Sequence, residues 1–243
     1  MTILLAPAET KQSGGVNSPL DVRRLHDFQK EVLESYEEQI KNSSIEELSN
    51  WFGLKNLKEV EKFKRSILDL PTLKAIQRYT GVAFDAIGYN NLDRKAKTFI
   101  DDNTYIYSNL FGMIRANFTI PEYKFKQGKV LKEFDNIKLF KKNLKPILDN
   151  VLGEEILDLS ASHYTKFYKP SAKVITFKFL KDGKVVSHWA KHYRGAVLKE
   201  IALNNISNFE ELLNHNFDGL ELKEIQEKKN IKTVIVNITK EGK

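Results

Sequence analysis

The sequence predicts an α+β fold, a mixed α/β arrangement in which a mixed sheet with an antiparallel hairpin is flanked by helices and carries a helix-hairpin-helix-like appendage. Segments with apolar residues at three-to-four spacing, typical of helices, are interspersed with short apolar or alternating runs, typical of strands. Asp182-Gly183 separates two alternating runs within 173–190, which predicts the hairpin and argues against a purely parallel sheet. The chain has 243 residues, of which 41% are hydrophobic, so we expect a single domain over 1–243.

The first predicted element is a buried strand over 2–6, which ends at Pro7. A loop rich in Gly, Ser and Pro follows it, of the kind that carries functional residues at a rigid edge. A helix is then predicted over 21–41, because apolar residues from Leu25 to Tyr36 recur at three-to-four spacing.

A helical hairpin is predicted over 43–63. Ser44 and Glu47 have the spacing of a capping box that opens the first helix. Gly53 is suited to end that helix, and Asn56 is suited to cap the second. Such a hairpin can present backbone N–H groups to a phosphate, or it can simply be two packed helices.

The remaining elements are predicted from apolar spacing, glycine boundaries and β-branched or aromatic content. They are a helix over 73–79, a short strand over 81–88, a helix over 93–101, a strand over 103–109, an irregular segment over 110–128, a helix over 139–152, a strand over 155–161, the hairpin over 173–190, a helix after Arg194 and a strand over 232–239.

Charge and composition limit the classes of function. The formal net charge of +7 suggests an anionic partner, such as a nucleic acid or a phosphorylated small molecule. The absence of cysteine excludes disulfides, thiolate catalysis and cysteine-based zinc sites. The first residues are too soon interrupted by Pro7 to form a signal peptide, and no apolar run approaches the roughly 20 residues of a membrane span. We therefore expect a soluble, intracellular protein without membrane association.

Four segments place polar or charged residues directly after an apolar strand. We predict that they line one shared cleft, although each alone is also compatible with a solvated strand end. The cations of this predicted cleft are Arg115, Lys124, Lys166, Lys169, Lys191 and Arg194. Tyr123 and Tyr164 lie among these cations, and aromatic faces beside cations suit nucleotide bases, with stacking worth about 1–3 kcal/mol per base. We expect Trp189, within the predicted hairpin, to be a core residue.

Lys191 and Arg194 raise a specific question, because cations in the first turn of a helix are electrostatically unfavourable. At three-residue spacing in that turn, the two side chains would share one face, and a bound phosphate would meet both cations and the free N–H groups. The alternative is a helix that starts later, which leaves both residues in a loop.

Catalytic and metal-binding patterns are weak. His26, His163, His188, His192 and His215 have no recognisable ligand spacing, so we predict no metal site and disfavour direct iron binding. Ser160 and Ser162 lack the G-x-S-x-G context, and no phosphate-binding glycine loop is present, so we expect no cofactor. Whether the protein is an enzyme stays open. The alternative to a binding protein is an enzyme acting on nucleic acid or a nucleotide, with Asp158 or Glu9 as acid or base.

Four blocks of residues, spread over nearly the whole chain, form a recognisable set. They are Ala6-Pro7-Ala8-Glu9 after an apolar run; Leu110-Phe111-Gly112 with Arg115, Pro121, Tyr123, Lys124 and Gly128; Leu159, Ala161, Tyr164, Lys166, Lys169 and Pro170; and Ala190, Lys191, Arg194 and Gly195, with Lys199 after them. In these blocks the chain resembles the YaaA family of bacterial peroxide-stress proteins. It departs from the family at His163, where Glu is common, at Asp158, where Asn is usual, and at Glu122 and Lys124, which replace a Pro-Tyr-Arg pattern.

The resemblance implies a cytoplasmic protein that protects DNA during hydrogen peroxide stress and is linked to lower free intracellular iron. It also implies a positively charged cleft, a helix-hairpin-helix element, here 43–63, and binding of double-stranded DNA. The expected phosphate-binding residues are Arg115, Tyr123, Lys124, Tyr164, Lys166, Lys169, Lys191, Arg194 and Lys199. The oligomeric state stays open.

Overall fold

An eight-stranded mixed sheet forms the centre of the protein in the computed structural model, which describes residues 1–16 and 18–240. The strands are β1 (Thr2–Leu5), β2 (Thr72–Lys74), β3 (Thr104–Ser108), β4 (Gly112–Arg115), β5 (Thr119–Pro121), β6 (Glu155–Leu159), β7 (Lys173–Lys181), β8 (Lys184–Val185), β9 (Leu220–Lys228) and β10 (Ile231–Ile238). The helices are α1 (Asp27–Asn42), α2 (Ile45–Phe52), α3 (Leu57–Phe63), α4 (Ala75–Arg78), α5 (Val82–Ile87), α6 (Arg94–Asn103), α7 (Asn136–Val151), α8 (Ser187–Leu203) and α9 (Phe209–Asn214).

The sheet is parallel in its centre and antiparallel at its edges, which confirms the predicted mixed α/β class. Its order is β4-β3-β1-β6-β7-β10-β9, with β8 paired to β7. The five strands from β3 to β10 in this order run parallel, whereas β4, β8 and β9 are antiparallel to their neighbours. The central strand β1 is continuously apolar because both sheet faces are covered: Ile3, Leu4 and Leu5 are at most 1% exposed.

The strand order creates a switch point beside β1. The chain passes from β1 to β3 on one side of it and later returns to β6 on the other side. The loops that leave β1 and β6 therefore diverge at the carboxyl edge of the sheet, where open α/β sheets form a crevice for ligands. Within residues 1–16 and 18–240, no helix is long and apolar enough to cross a lipid bilayer.

The helical hairpin is present as predicted in α2 and α3. The Ser44 hydroxyl accepts from the Glu47 N–H at 3.2 Å, and the Glu47 carboxylate accepts from the Ser44 N–H at 2.7 Å. Gly53 ends α2 in the left-handed region with a φ of 66°, and the Asn56 side chain caps α3. The predicted local sequence signals therefore form the expected structure.

Segment 81–88 was predicted as a strand, and the structure shows that this is wrong. It forms α5, in which Phe84 and Ile87 point inward at three-residue spacing. Gly88 ends this helix with a φ of 59°. A short apolar run between two glycines is compatible with both kinds of element, and here the packing of α5 against α8 favours the helix.

The predicted hairpin over 173–190 is also much shorter than expected. Only Lys184 and Val185 return along β7, and α8 begins at Ser187. Trp189 therefore lies in the first helical turn, where it packs partly buried against the core. Lys191 and Arg194 lie beyond the first four residues, whose N–H groups are the free ones, so neither expected placement is correct: the two residues are in the helix, but not in its first turn.

Other segments also differ from prediction, among them 73–79, whose first residues belong to β2 and only 75–78 to α4. Segment 110–128 was predicted to be irregular but contains β4 and β5. Helix α7 starts three residues earlier than 139, because the Asp135 carboxylate caps it by accepting from two backbone N–H groups. The long antiparallel pair is β9–β10, and β9 was not predicted because its residues are charged and almost entirely exposed.

Helices α5 and α8 touch through Gly195. A β-carbon at this position would lie 2.1 Å from the Ala83 carbonyl oxygen and 3.0 Å from the Ala86 β-carbon. Real β-carbons do not approach backbone atoms so closely, so any larger residue must push the helices apart. The close contact places the segment before α5 beside the first half of α8.

We expect Gly195→Ala to lower the free energy of unfolding by about 1–3 kcal/mol, as overpacking of a close backbone contact does. Urea unfolding followed by circular dichroism measures the loss. Lys199→Ala, on the exposed side of the same helix, is the control and should stay within about 0.5 kcal/mol of the wild type. An unchanged midpoint for Gly195→Ala would contradict the close contact.

Candidate functional site

A cavity of about 280 Å³ lies at the switch point, at the carboxyl ends of β1 and β6. Its walls are the loop after β1, the segment 80–84, Ala161 and Tyr164 after β6, and Lys191 and Arg194 from α8. We call this cavity the cleft. Gln127 also lines it, so two cations on one helix face four other segments.

The loop after β1 is held in place by the segment before α5. Lys11 and Tyr79 form an isolated antiparallel bridge, and the Thr80 N–H donates to the Thr10 carbonyl at 3.1 Å. The Gln12 N–H donates to the Arg78 carbonyl at 2.8 Å. Three consecutive polar residues of the loop, from Thr10 to Gln12, are therefore fixed as in a strand.

The side chain of Arg78 completes this arrangement from below. It is 0% exposed and donates to the carbonyl oxygens of Ile120 at 3.1 Å, Pro71 at 2.9 Å and Gln12. Burial lowers the pKa of this guanidinium, and the charge of Glu122 opposes that shift. The interaction joins three segments that are distant in the sequence, one of which is the loop after β1.

Arg194 is the more deeply placed of the two cleft cations. Burial lowers the pKa of its guanidinium, and the Asp158 carboxylate counteracts that shift. Burial raises the pKa of Asp158, which the Ser160 N–H at 2.8 Å and the charge of Arg194 both oppose. The Asp158 carboxyl, whose pKa is raised, and the Arg194 guanidinium therefore lie near each other at the end of β6.

A second cavity of about 20 Å³ adjoins the cleft along Pro7, Ala8 and Tyr164. We call it the small cavity. The side chains of Lys11, Tyr79 and Asn109 are in its wall.

Lys11 has an unusual environment. Its Nζ lies 4.2 Å from the ring centroid of Tyr123 and 5.2 Å from that of Tyr79. Burial lowers the pKa of the amine to about 7, with Lys124 and Arg78 adding to the shift and Glu9 and Glu122 opposing it. A substantial fraction of Lys11 is therefore neutral at neutral pH.

The phenols beside Lys11 belong to a hydrogen-bonded chain. The Ser108 hydroxyl oxygen accepts from the Leu110 and Phe111 N–H groups at 3.2 and 3.0 Å. It lies 2.8 Å from the Tyr123 hydroxyl, which lies 2.7 Å from the Tyr79 hydroxyl. Burial raises the pKa of Tyr79 to about 12 and that of Tyr123 well above its usual value, so both phenols stay protonated.

Several predicted site residues meet at these cavities. Tyr164, Lys191 and Arg194 line the cleft, and Tyr123 lines the small cavity. The rings of Tyr164 and Tyr123 are only 3% and 2% exposed, so little of either face is available to stack on a base. The Lys124 amine lies 3.9 Å from a carboxylate oxygen of Glu9, beside the cleft.

Other predicted residues lie elsewhere, so the six predicted cations do not share one cleft. Arg115 pairs in register with Tyr105, about 10 Å along the strand from the Ser108 end, because β4 runs antiparallel to β3. Its guanidinium donates to the Asp102 carbonyl at 3.0 Å. The remaining residues are exposed and line neither cavity: Lys166, Lys169 and Lys199.

Sequence reasoning missed Lys11, Tyr79 and Asn109. The one available signal was the position of Lys11, two residues after the polar end of the Ala6–Glu9 block. The described residues contain no group of three or more His, Cys, Asp or Glu side chains placed to hold a metal ion. His163, one of the departures from the family pattern, has a pKa lowered by burial and then by the charge of Lys166.

Comparison with known proteins identifies the family. A family model described as peroxide stress protein YaaA matches residues 1–226. The chain belongs to this family. It is 45% identical over 232 residues to an uncharacterized protein of Campylobacter jejuni, covering 93% of this chain and 94% of the relative. It is 33% identical over 213 residues to a UPF0246 protein of Corynebacterium efficiens (83% and 85% covered) and 31% identical over 243 residues to one of Clostridioides difficile (92% and 95%).

The family blocks lie mostly at the cleft. Three of the four contribute to the cleft: Ala6 to Glu9 in the loop after β1, Ala161 with Tyr164, and Lys191 with Arg194. Gly195, the last residue of the fourth block, makes the close contact with α5. The family resemblance therefore concentrates where the structure has its switch-point cavity.

The lowered pKa of Lys11 predicts a pH dependence of stability. Between about pH 7 and 10.5 the amine is neutral in the folded protein but protonated in the unfolded chain. The unfolded chain then binds more protons, so the free energy of unfolding rises with pH in this window. We expect the wild type to gain stability relative to Lys11→Met as the pH is raised from 7 to 10, measured by urea unfolding at each pH. A constant difference between the two proteins would contradict the shift.

Proposed function

We propose that the protein binds double-stranded DNA through its phosphates, as a member of a peroxide stress family, and so protects DNA from oxidative damage. The observation that carries the proposal is the pair Lys191 and Arg194, which share one face of α8 at the cleft. The structure gives Lys191 no ion pair within the described residues, so its charge is available to a ligand. An anion between these cations would form charge-assisted hydrogen bonds.

The helical hairpin adjoins the cleft, which supports a single extended DNA surface. A β-carbon at Gly53 in the hairpin turn would lie 2.4 Å from the Lys126 side chain, so Lys126 covers that turn. The next residue, Gln127, lines the cleft and donates its N–H to the Glu9 carboxylate at 2.6 Å. Lys126, which covers the turn, and Gln127, which lines the cleft, are adjacent in the chain, so the hairpin turn lies near the rim of the cleft.

Cations around the hairpin turn extend this surface. Lys55 and Lys58 are exposed, and neither side chain has an ion pair in the part of the chain that the structure describes. Together with Lys126 they flank the turn, where a helix-hairpin-helix element would meet a phosphate backbone. Contacts of this type carry little sequence information, so we propose binding without sequence preference.

Binding of a duplex should depend steeply on salt, since each phosphate contact releases counterions. We expect Lys191→Ala/Arg194→Ala to weaken binding and to reduce the slope of log K against log salt by about 2, one for each contact removed. Fluorescence anisotropy with a labelled duplex between 50 and 200 mM salt measures both quantities.

The matched control is Lys141→Ala/Lys142→Ala, which removes two exposed positive charges from α7. It changes net charge equally and should leave the slope near that of the wild type. Lys55→Ala/Lys58→Ala tests the hairpin and should lower the slope as the cleft variant does. Equal slopes for the cleft variant and the α7 control would refute a specific role of the cleft.

The lowering of free intracellular iron that the family resemblance implies belongs to the same proposal. It is measured as chelatable iron in cells that contain or lack the protein during peroxide exposure. Equal iron levels, with survival still dependent on the protein, would separate DNA protection from any effect on iron.

A second candidate is an enzyme that acts on nucleic acid or a nucleotide in the cleft, favoured by the raised pKa of Asp158 beside Arg194. A carboxyl whose pKa is raised by burial is the kind of group that serves as a general acid, and a neighbouring cation would stabilise phosphate charge. Duplexes with a nick, an abasic site or an oxidised base are the substrates to test. Asp158→Asn should then lower turnover about 100-fold or more while leaving duplex affinity intact. If none of these substrates is turned over, the enzyme candidate is refuted and only the binding function remains.

A further inference from the structure

The small cavity holds three polar groups that no role in phosphate binding explains. We propose that the Lys11 amine reacts there with the carbonyl carbon of an aldehyde to form an imine, assisted by Asn109 and by the Tyr79–Tyr123 phenol pair. This inference does not depend on DNA binding, although an aldehyde carried by damaged DNA is one source of the reacting group.

The amine is positioned for this reaction by its surroundings. It lies against the rings of Tyr79 and Tyr123 and donates to the Ala8 carbonyl oxygen at 3.5 Å. The bridge between residues 11 and 79 fixes its backbone. No carboxylate lies within 4.0 Å of Nζ among the described residues, so Lys11 is not committed to an ion pair.

Asn109 supplies an unused acceptor. Its side chain is 6% exposed, and its Nδ2 donates to the Phe125 carbonyl at 3.4 Å, which defines the orientation of the amide. Its Oδ1 is buried and has no hydrogen-bond partner in the described structure. A buried acceptor without a partner is costly, and here it belongs to a residue in the wall of the same cavity as Lys11.

The phenol pair supplies an unused donor. Ser108 already accepts two N–H groups, so its own hydrogen must go to the Tyr123 oxygen. One of the two phenol hydrogens forms the Tyr79–Tyr123 bond. The other, on whichever ring, has no acceptor among the described residues. A carbonyl oxygen in the cavity would meet this donor.

The charges around Lys11 keep part of it reactive at neutral pH. Glu9 and Glu122 favour the protonated amine, Lys124 and Arg78 disfavour it, and burial outweighs the carboxylates. Tyr79 and Tyr123 remain protonated and contribute no charge. The neutral amine is the nucleophilic form, and desolvated lysines of this kind are the ones that form Schiff bases.

The reaction is balanced with the groups present. The amine nitrogen forms a bond to the carbonyl carbon while the carbon–oxygen double bond becomes single, and the oxygen takes a proton from the phenol. The nitrogen then loses two protons. One restores the phenol, and the other joins the hydroxyl group as the carbon–oxygen bond breaks and water leaves, which gives the imine. The net change is amine plus aldehyde to imine plus water.

The size of the small cavity restricts the ligand. About 20 Å³ holds a group no larger than a water molecule, so only the carbonyl end fits beside Lys11. The rest of the ligand must lie in the adjoining cleft, near Lys191 and Arg194, where an anionic substituent is favoured. A free small aldehyde and the aldehyde of an abasic site in a DNA strand both meet these conditions.

Trapping with a reductant tests the proposal in two arms at pH 7. In one arm the full chain is incubated with glycolaldehyde and cyanoborohydride, and the rate of modification of every lysine is followed by peptide mass spectrometry. We expect Lys11 to be modified at least tenfold faster than any other lysine, with a rate that is half-maximal near pH 7. In the other arm a duplex with one abasic site is trapped with borohydride.

The outcomes distinguish the two sources of the aldehyde, and they separate the imine inference from the proposal of DNA binding. Crosslinking of the abasic duplex at Lys11 identifies DNA as the source, whereas modification by glycolaldehyde alone identifies a free aldehyde. Lys11→Arg keeps the positive charge and should abolish the fast modification, while Lys142→Arg should leave it unchanged. Modification of Lys11 no faster than that of exposed lysines in the wild type overturns the inference, whether or not the variant folds. Duplex affinity without trapping would leave the DNA proposal standing alone.

Discussion

The guanidinium of Arg78 is fully buried and donates to carbonyl oxygens of three segments that are far apart in the sequence, at Gln12, Pro71 and Ile120. A buried charge is costly unless its donors are satisfied, and here backbone dipoles satisfy them. This interaction ties the loop after β1, which lines both cavities, to the segment 71–80 that contains β2 and α4. Together with the backbone bridge between Lys11 and Tyr79, it holds Lys11 in a defined wall.

The other wall depends on a contact between two helices. Gly195 lets α8 approach the α5 backbone, and the cleft cations lie one and four residues before that contact. The same glycine thus couples helix packing to the position of the charged groups. Its place in the family block beside Lys191 and Arg194 has a physical reason: a bulkier residue would widen the cleft and separate the cations from the segment that faces them.

Local sequence signals were sufficient to predict the elements whose formation depends on residues close together in the chain. The helical hairpin, β1, β3 and β6 follow from capping residues and apolar runs, and the mixed class follows from them. The register of β4 on β3 cannot be inferred locally, so Arg115 was assigned to the wrong end of the sheet. The burial of Lys11 depends on residues 79 and 123, more than 60 positions away, so no pattern around Lys11 itself could indicate a perturbed amine.

The position of β1 in the sheet has a consequence for synthesis of the chain. Leu4 pairs with Tyr105 on one side and with Asp158 on the other, so β1 is joined only by partners that leave the ribosome about a hundred or more residues after it. Parallel pairings of such sequence separation form slowly, because a long loop must close before any contact is gained. During translation the apolar segment Ile3–Leu5 therefore stays exposed without its neighbouring strands, and exposed apolar segments are what chaperones bind.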